Sequence, residues 1–356
     1  MKIPKSVKFS ISIIVEFKMA SEQLPLENYK FFTVEIYECK KVNQPVVISS
    51  KDAKNGTFEI LNRHHDADLS HYIVSWNVTE NGKVIQKGTL PTLNTKPYAS
   101  SAFSIPFKTP KLKPGSLYYI NIEGALKENT LWANAGHLVF EEQFQLNYDV
   151  KTPKTLSSTI TLSVNENDNT ISISNKAIQL EINKNTGYIS TYKSKGVSVL
   201  KSPLQLNFWR AETENDEAYR KAMKLESELD WMDAGERFKA NNIETNTAEK
   251  GKVVITVNGN ITNPKTEIKL VYTILGSGEL KVDYLANIDK NAPNAPRIGM
   301  RFDIAKTYGN LTYFGKGPQA NYSDRNYGSH MGLYSGKPEN INYKYVYPEE
   351  YGNHTE

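Results

Sequence analysis

The sequence contains a single cysteine, Cys39, so an internal disulfide is excluded, and cysteine usage does not decide the redox compartment. No run approaches the ~20 apolar residues that a membrane-spanning helix needs. Lysine and arginine exceed the acidic residues by only 4, which argues against nucleic acid or an anionic membrane as a partner. With 356 residues, the chain has room for about two domains, each with its own core.

The N-terminal residues carry a weak targeting signal. Three lysines precede a short apolar run at residues 9–15, as at the start of a signal peptide. However, Glu16 and Lys18 follow directly, and there is no clear small-residue cleavage site. We expect a cytoplasmic protein with a poorly defined segment at residues 1–35, and the periplasm remains open as an alternative.

The residue pattern in the first half of the chain predicts a series of strands. Asn81-Gly82 lies between two alternating apolar and polar runs, which is a strong signal for a hairpin. No long amphipathic pattern interrupts this region, so we expect an immunoglobulin-like β-sandwich over residues 36–148. The predicted strands cover residues 57–62, 71–78, 83–88, 116–123 and 137–146.

A polar stretch at residues 149–157 predicts a linker to a second domain at residues 158–356. Residues 217–240 are rich in helix-forming residues and predict a helical excursion between strands. The predicted strands of this domain cover residues 159–164, 170–174, 177–182, 252–257, 267–274, 279–286 and 297–304.

Residues 313–325 concentrate turn-forming and hydrogen-bonding side chains. Gly315 and Gly317 flank Lys316, and Pro318 follows, so the chain must turn sharply after a strand. The amide, phenol, carboxylate and guanidinium groups that follow suit a loop fastened to its own scaffold. A phosphate loop is disfavoured because no Gly-Lys-Ser/Thr and no helix-forming run follow.

The histidines give weaker signals. His64 and His65 stand near Asp66 and Asp68, but adjacent histidines on an extended chain point to opposite sides, so we expect no metal site. We expect His137 to be a packed strand residue rather than a catalytic base.

Five blocks of sequence, in order, resemble the C-terminal part of the β-galactosidases of glycoside hydrolase family 2. The resemblance implies domain 4 of those enzymes followed by their small-chain domain, a galactose-mutarotase-like antiparallel β-supersandwich that is here truncated at its C-terminus. The blocks are IYECKKVNQP (36–45), LWANAGHLVFEEQFQL (131–146), LNFWRAETEND (206–216), YTILGSGELKVDY with PRIGMRF (272–284, 296–302), and GKGPQANYSDR with YVYPEEYGN (315–325, 345–353).

The resemblance implies hydrolysis of terminal β-galactosides such as lactose by the complete enzyme. A retaining glycosidase needs two carboxyl groups, and in this family both lie on a (β/α)8 barrel of ~250 residues. This chain has neither that length to spare nor that alternation, so we expect no catalytic residue and no metal ligand here. The Mg and Na sites of the complete enzyme are implied to lie mainly on other domains, and Tyr347-Pro348 matches half of a peripheral sodium site.

In the family, the loop after the RAPTDND motif borders the active site. By position, Asn215, Asp216 and Arg220 are its substrate-bordering residues here, although Asn215 and Asp216 also suit capping of a helix near residue 217. Glu212 stands where proline is usual, and Glu214 where aspartate is usual. The residues of the structural motif are Arg210, expected to pair with a carboxylate, and Gly317, Pro318, Asn321, Tyr322, Asp324 and Arg325.

The expected partners are a β-galactoside and the catalytic barrel of the same enzyme, in cis or in trans. The sequence does not decide the oligomeric state. Two rival functions remain. One is a free-standing carbohydrate-binding module. The other is a mutarotase-like epimerase, which needs a histidine acid and a carboxylate base in one cleft. His330 and His354 are the only histidines of the second domain.

Overall fold

The computed structural model describes residues 35–151, 157–305, 308–338 and 352–354, together with the backbone of residues 7–13. Most of the N-terminal segment and residues 152–156 of the predicted linker lie outside this part. So do residues 345–351 of the second motif, with the Tyr347-Pro348 pair.

The described residues form two α-helices, three short 3-10 helices and 21 strands. The helices are α1 (Glu35–Val42) and α2 (Glu214–Met223), and the 3-10 helices cover Ala53–Asn55, Leu69–His71 and Glu226–Trp231. The first strands are β1 (Val7–Ile13), β2 (Val46–Asp52), β3 (Thr57–Asn62), β4 (Tyr72–Glu80), β5 (Lys83–Thr89), β6 (Ser100–Ser104), β7 (Tyr118–Leu126) and β8 (Leu138–Gln145). They are followed by β9 (Ser163–Glu166), β10 (Thr170–Ser174), β11 (Ile178–Asn183), β12 (Ile189–Ser194), β13 (Val197–Ser198), β14 (Gln205–Asn207) and β15 (Lys239–Asn246). The last are β16 (Lys252–Ile261), β17 (Thr266–Leu275), β18 (Leu280–Ile288), β19 (Gly299–Arg301), β20 (Leu311–Gly317) and β21 (His330–Gly336).

One compact unit comprises residues 1–21, 155–308 and 345–349. Two five-stranded sheets, β1-β18-β17-β16-β15 and β13-β12-β11-β10-β9, enclose its core. Along β16 every second side chain is buried, including Val253, Ile255 and Val257. Ile171 and Leu180 of the other sheet join the same cluster, so the unit is an antiparallel sandwich, as the predicted all-β class requires.

Two tyrosines of this core donate hydrogen bonds from their hydroxyls to backbone carbonyls that take no part in strand pairing. The hydroxyl of Tyr188 donates to the Gly235 carbonyl at 2.6 Å, and that of Tyr272 donates to the Gly187 carbonyl at 3.0 Å. Burial raises the pKa of both phenols, so they remain neutral donors. Gly187 has a φ of +67°, and a Cβ there would lie 2.5 Å from Val257, so this turn requires glycine.

The second compact unit comprises residues 22–154, 309–344 and 350–356. Its sheets are β2-β3-β6 and β5-β4-β7-β8, and the β20–β21 hairpin accompanies them. Phe58, Trp76, Ile120 and Phe140 are buried in one cluster between the two sheets. Two antiparallel sheets that face each other across one core form a β-sandwich, in agreement with the predicted all-β class.

The β20–β21 hairpin packs within this second unit, whereas the sequence placed residues 309–344 in the domain at 158–356. The side-chain amide of Gln143 donates to the Met331 carbonyl at 2.8 Å and accepts from its N–H at 2.7 Å. The Glu38 carboxylate accepts from the N–H groups of Tyr327 and Gly328. Such contacts join positions almost 200 or more residues apart, so sequence patterns do not reveal them.

The helix predictions needed correction. The predicted helix at 217–240 is wrong in extent: α2 ends at Met223, where Lys224 adopts a left-handed conformation and its N–H caps the Arg220 carbonyl. A 3-10 helix and strand β15 occupy the remainder of that window. Helix α1 was not predicted, and residues 7–13 of the N-terminal segment pair with β18. Among the described residues, no helix is both long and apolar enough to cross a bilayer.

A half-buried group of ionisable side chains joins β21 to β8 in the second unit. His330 Nδ1 lies 3.9 Å from the Glu141 carboxylate. Lys41 pairs with Glu142 at 2.7 Å and donates to the Glu141 carbonyl. Burial, assisted by Lys41, lowers the pKa of His330 to about 4. Burial raises the pKa of the Glu141 carboxyl, and Lys41 opposes that change.

This geometry predicts that His330 makes a pH-dependent contribution to the free energy of unfolding. Between pH ~6.5 and ~4 the unfolded chain binds a proton that the folded chain does not, so the free energy of unfolding falls as pH falls through this window. With a folded-state pKa of about 4, the effect reaches up to ~3 kcal/mol. The variant His330→Gln should lose this dependence, as measured by urea denaturation at several pH values. A difference in the free energy of unfolding between wild type and variant that stays constant from pH 7 to pH 4 would contradict the prediction. Glu141 has the opposite pH dependence in both proteins, so taking this difference cancels its effect.

Candidate functional site

The segment after β14 forms the candidate site, and its helix begins with a capping box. Thr213 is the N-cap: its hydroxyl accepts from the Asp216 N–H at 3.2 Å, and the Asp216 carboxylate accepts from the Thr213 N–H at 2.9 Å. The predicted capping role therefore applies to Asp216 only in part, and the helix begins at Glu214 rather than near 217. Asn215 lies exposed in the first turn.

Arg210 holds the start of this helix against the preceding chain. Its guanidinium lies 2.5 Å from the Asp216 carboxylate, which is the carboxylate pair expected from the sequence. Burial by itself would raise the pKa of Asp216, but hydrogen bonds from Arg210 and Thr213 outweigh it and hold that pKa below its usual value. Asp216 is therefore a charged anchor of the loop.

Arg220 is buried between two carboxylates. It donates from Nε and Nη2 to the two oxygens of Glu212, at 2.6 and 3.0 Å, and from Nη1 to Glu226. Such a bidentate pair fixes both distance and orientation. Glu212 occupies the position where proline is usual in the related motif, so this departure supplies the partner of Arg220. Because its donors are used in this way, Arg220 positions the loop.

Strands β14 and β19 bring two stretches of chain together beside this loop. Asn207 pairs with Gly299, so the chain leaving β14 and the chain entering β19 emerge at the same end of the ladder. The Arg297 N–H donates to the Phe208 carbonyl at 3.3 Å. The ring of Trp231 lies tilted against that of Phe208, with 5.0 Å between the ring centres, and its indole N–H donates to the Pro293 carbonyl at 3.0 Å.

These stretches enclose a cleft of about 130 Å³. Burial raises the pKa of the Glu228 carboxyl in its wall, and the nearby Asn294 side chain opposes that rise. The cleft thus combines aromatic surface with carboxylate and amide groups, which suits hydrogen bonding and apolar contact with a polar ligand. The lining residues are Trp209, Arg210, Glu212, Asp216, Tyr219, Glu228, Asn294, Ala295 and Pro296.

Of the residues expected to border a substrate, Asp216 lines the cleft, whereas Asn215 and Arg220 are not among its lining residues. Sequence reasoning did not single out Trp209, Glu228 or Asn294. Trp209 belongs to a block that resembles the family, which was a usable signal. Nothing in the sequence connects Glu228 with Asn294, because only the fold brings them together.

The remaining motif residues lie in the second unit. Strand β20 ends at Gly317 and a bend follows at residues 318 and 319, so the chain turns where the sequence predicted. Asn321 is fully buried, with its N–H bonded to the Asn353 carbonyl at 2.8 Å. The Arg325 guanidinium lies 4.5 Å from the centre of the Tyr322 ring, and Asp324 is exposed. These contacts fasten the loop to its own unit.

The histidines take other roles. His64 bonds the Tyr72 hydroxyl at 2.9 Å, and the part of the chain that the structure describes contains no cluster of three or more potential metal ligands. The prediction for His137 is wrong: it is exposed just before β8, in edge contact with Trp132. His354 contacts the Tyr313 hydroxyl at 3.0 Å.

A family model described as beta galactosidase small chain matches residues 174–356, a little over half of the sequence. The chain belongs to the beta-galactosidase small-chain family. A second model, described as beta-galactosidase, domain 4, matches residues 58–147. The small-chain match spans both compact units, because it includes the β20–β21 hairpin that packs in the second unit.

Curated relatives agree with this membership. The beta-galactosidase of Priestia megaterium is 27% identical over 323 residues, covering 90% of this chain and 31% of that protein. The enzyme of Actinobacillus pleuropneumoniae is 28% identical over 332 residues, with the same two shares, 90% and 31%. That of Pseudoalteromonas haloplanktis is 28% identical over 293 residues, covering 78% and 28%. The chain spans about a third of the length of the relatives it matches.

The ion pairs of Arg220 should stabilise the loop that contains α2. The variant Arg220→Met removes the guanidinium and with it the hydrogen bonds to both carboxylates. The backbone amides of α2 should then exchange with deuterium roughly tenfold faster, because charge-assisted bidentate bonds are lost. Arg220→Lys should restore part of the protection, since lysine keeps the charge but not the fork.

Lys221→Met is the matched control, because the Lys221–Glu217 pair on the same helix is exposed and such pairs contribute little. Equal exchange rates in the Arg220→Met and Lys221→Met variants would contradict the assigned role.

Proposed function

We propose that this chain contributes domain 4 and most of the small-chain domain to a glycoside hydrolase family 2 β-galactosidase, which hydrolyses terminal non-reducing β-D-galactose residues such as that of lactose. The observation that supports this proposal is the ordered pair of family matches, domain 4 at 58–147 and small chain at 174–356. The proposed role of the chain is to brace the catalytic barrel and to border the galactose pocket, with the loop that Arg210 and Arg220 hold in place.

By itself the chain is proposed to be catalytically silent, because hydrolysis with retention requires two carboxyl groups about 5 Å apart on either side of the scissile bond. In this proposal the barrel supplies both glutamates and the main Mg and Na sites. The partner is the barrel-bearing part of the enzyme, in cis or in trans, and the proposed compartment is the cytoplasm. Lactose catabolism is the corresponding metabolic role.

The epimerase alternative receives no support from the described histidines. His330 is half-buried, and its pKa is lowered to about 4. His354 is bonded to Tyr313 and to the Lys316 carbonyl. A carbohydrate-binding module remains a second candidate, because Trp132 exposes 65% of its surface and Tyr98 exposes 63%.

The test is complementation. The purified chain is mixed with the part of the Priestia megaterium β-galactosidase that it does not match, and hydrolysis of a chromogenic galactoside is followed. We expect no hydrolysis by either part and a clear gain for the mixture. In a second version of the experiment, the same two parts are fused into one chain, in case the separate parts associate too weakly.

Hydrolysis by the pure chain would refute the proposed silence. Inactivity of both the mixture and a folded fusion, as judged by circular dichroism, would refute the proposed role in the enzyme.

A further inference from the structure

A groove of about 690 Å³ crosses the outer face of the sheet that β15, β16, β17 and β18 form with β1. Alternate residues of β16 point into the core, among them Val253, Ile255 and Val257, so the residues between them point to the outer face. From β15 to β18 the groove spans ~14 Å, at a strand spacing of ~4.8 Å. Its volume lies within the range of ligand-binding clefts, and it shares no lining residue with the cleft beside α2.

Two rows of side chains form the floor of this groove across β16, β17 and β18. One row is Asn258, Lys269 and Leu285, and the next is Asn260, Glu267 and Asn287. From β15, the side-chain amide of Asn241 donates to the side-chain oxygen of Asn260 at 2.8 Å, which leaves further donors and acceptors on both amides. No described residue hydrogen-bonds the side chain of Asn258 or of Asn287. The floor therefore presents amide groups that a ligand can bind.

These amides are unusual for strand residues. Asparagine is depleted in β-strands, yet all four asparagines that line the groove lie within strands. The other end of the same face follows the usual preference for β-branched residues. Its cross-strand pairs are Val254 with Thr273 and Thr256 with Val271. Violations of local preference are expected where function requires particular side chains, so the amide end of the face is the candidate for a site.

The groove has little net charge. Glu267 offsets Lys269, and the Asp289 carboxylate lies 3.9 Å from the Lys265 ammonium. Balanced charge argues against a polyanion such as nucleic acid. None of the described lining residues is aromatic, so the groove offers no ring on which a base could stack. These properties favour a neutral ligand.

The pairing of the strands also limits the kind of ligand. A peptide that adds as a strand needs a free backbone edge, but β16, β17 and β18 are each paired on both sides. A ligand on this floor therefore binds through side chains. An amide both donates and accepts, as a hydroxyl does, so neighbouring amides match the neighbouring hydroxyls of a carbohydrate. A span of four strands fits several linked rings better than one.

We propose that this groove binds a neutral oligosaccharide, with the side-chain amides of Asn258, Asn260 and Asn287 hydrogen-bonding its hydroxyls. The site goes beyond the proposed function and does not depend on the catalytic barrel, because every contact comes from this chain. Since none of the described lining residues adds an aromatic surface to these hydrogen bonds, we expect a Kd in the millimolar range.

The full chain is labelled with ¹⁵N in its asparagines and titrated with β-1,4-galactotetraose and, separately, with cellotetraose, and the side-chain amide signals are followed by NMR. We expect the signals of Asn258, Asn260 and Asn287, assigned by substitution, to shift with at least one of the two sugars. Methyl β-D-galactoside should bind roughly fivefold more weakly or less, because a single ring reaches only part of the two rows. Unchanged groove signals with both tetrasaccharides, or equally tight binding of the single ring, would overturn the inference.

The variants Asn258→Val and Asn287→Val separate a binding role from a structural one. Each removes an amide and should weaken oligosaccharide binding roughly fivefold, the effect of one lost hydrogen bond. The same variants should keep the Tm or raise it by ~1–2 °C, because valine favours strands. A lowered Tm with unchanged binding is the result that a purely structural role predicts, and it would refute the proposed site.

The matched control is Asn165→Val, which changes an exposed asparagine of β9 in the other sheet of the same unit and should leave binding unchanged. Equal weakening by the control and the groove variants would count against the groove. Circular dichroism identifies any variant that fails to fold, and Asn258→Thr is the second variant for that case. Because the titration measures binding by this chain alone, failure of complementation and failure of oligosaccharide binding are separate outcomes.

Discussion

Burial of alternating side chains between antiparallel sheets is the constraint on which the rest of the structure depends. In the unit that contains the cleft, β16, β17 and β18 pair in register over nearly their full length, so every second residue points into one shared core. A shift by one residue would expose Val253, Ile255 and Val257 and bury polar side chains instead. The β14–β19 ladder that opens the cleft is attached to this core through Leu206 and Phe208.

The candidate site adds a polar layer to that apolar framework. Helix α2 has ten residues and is mostly polar, and isolated helices of this length are marginal in water. Its position is fixed by the capping box at Thr213 and by the carboxylate pairs of Arg210 and Arg220. The helix is therefore held by side-chain contacts of its own segment, among them the pair between Glu212 and the buried Arg220.

The two compact units divide the family motifs in an unexpected way. The loop at 206–216 belongs to one unit, whereas the turn at Gly317 and the buried Asn321 belong to the unit of the domain 4 match. Glu38 and Gln143 bind the backbone of the β20–β21 hairpin directly. The β20–β21 hairpin of the small-chain match is therefore stabilised in part by Gln143, 188 positions before its partner Met331, and by Glu38, 290 positions before its partner Gly328.

The sequence alone determined the all-β class, the positions of most strands, the turn after β20 and the likeness to β-galactosidases. These features depend on local patterns: period-two alternation, Asn-Gly and Gly-Pro dipeptides, and contiguous motifs. Tertiary structure decided where α2 ends, which unit holds β20 and β21, and that Glu212 pairs with Arg220. It also placed Glu228 beside Asn294, 66 positions further along the chain. Those contacts join residues that share no local pattern, so they arise only when the packed sheets fix the distances between them.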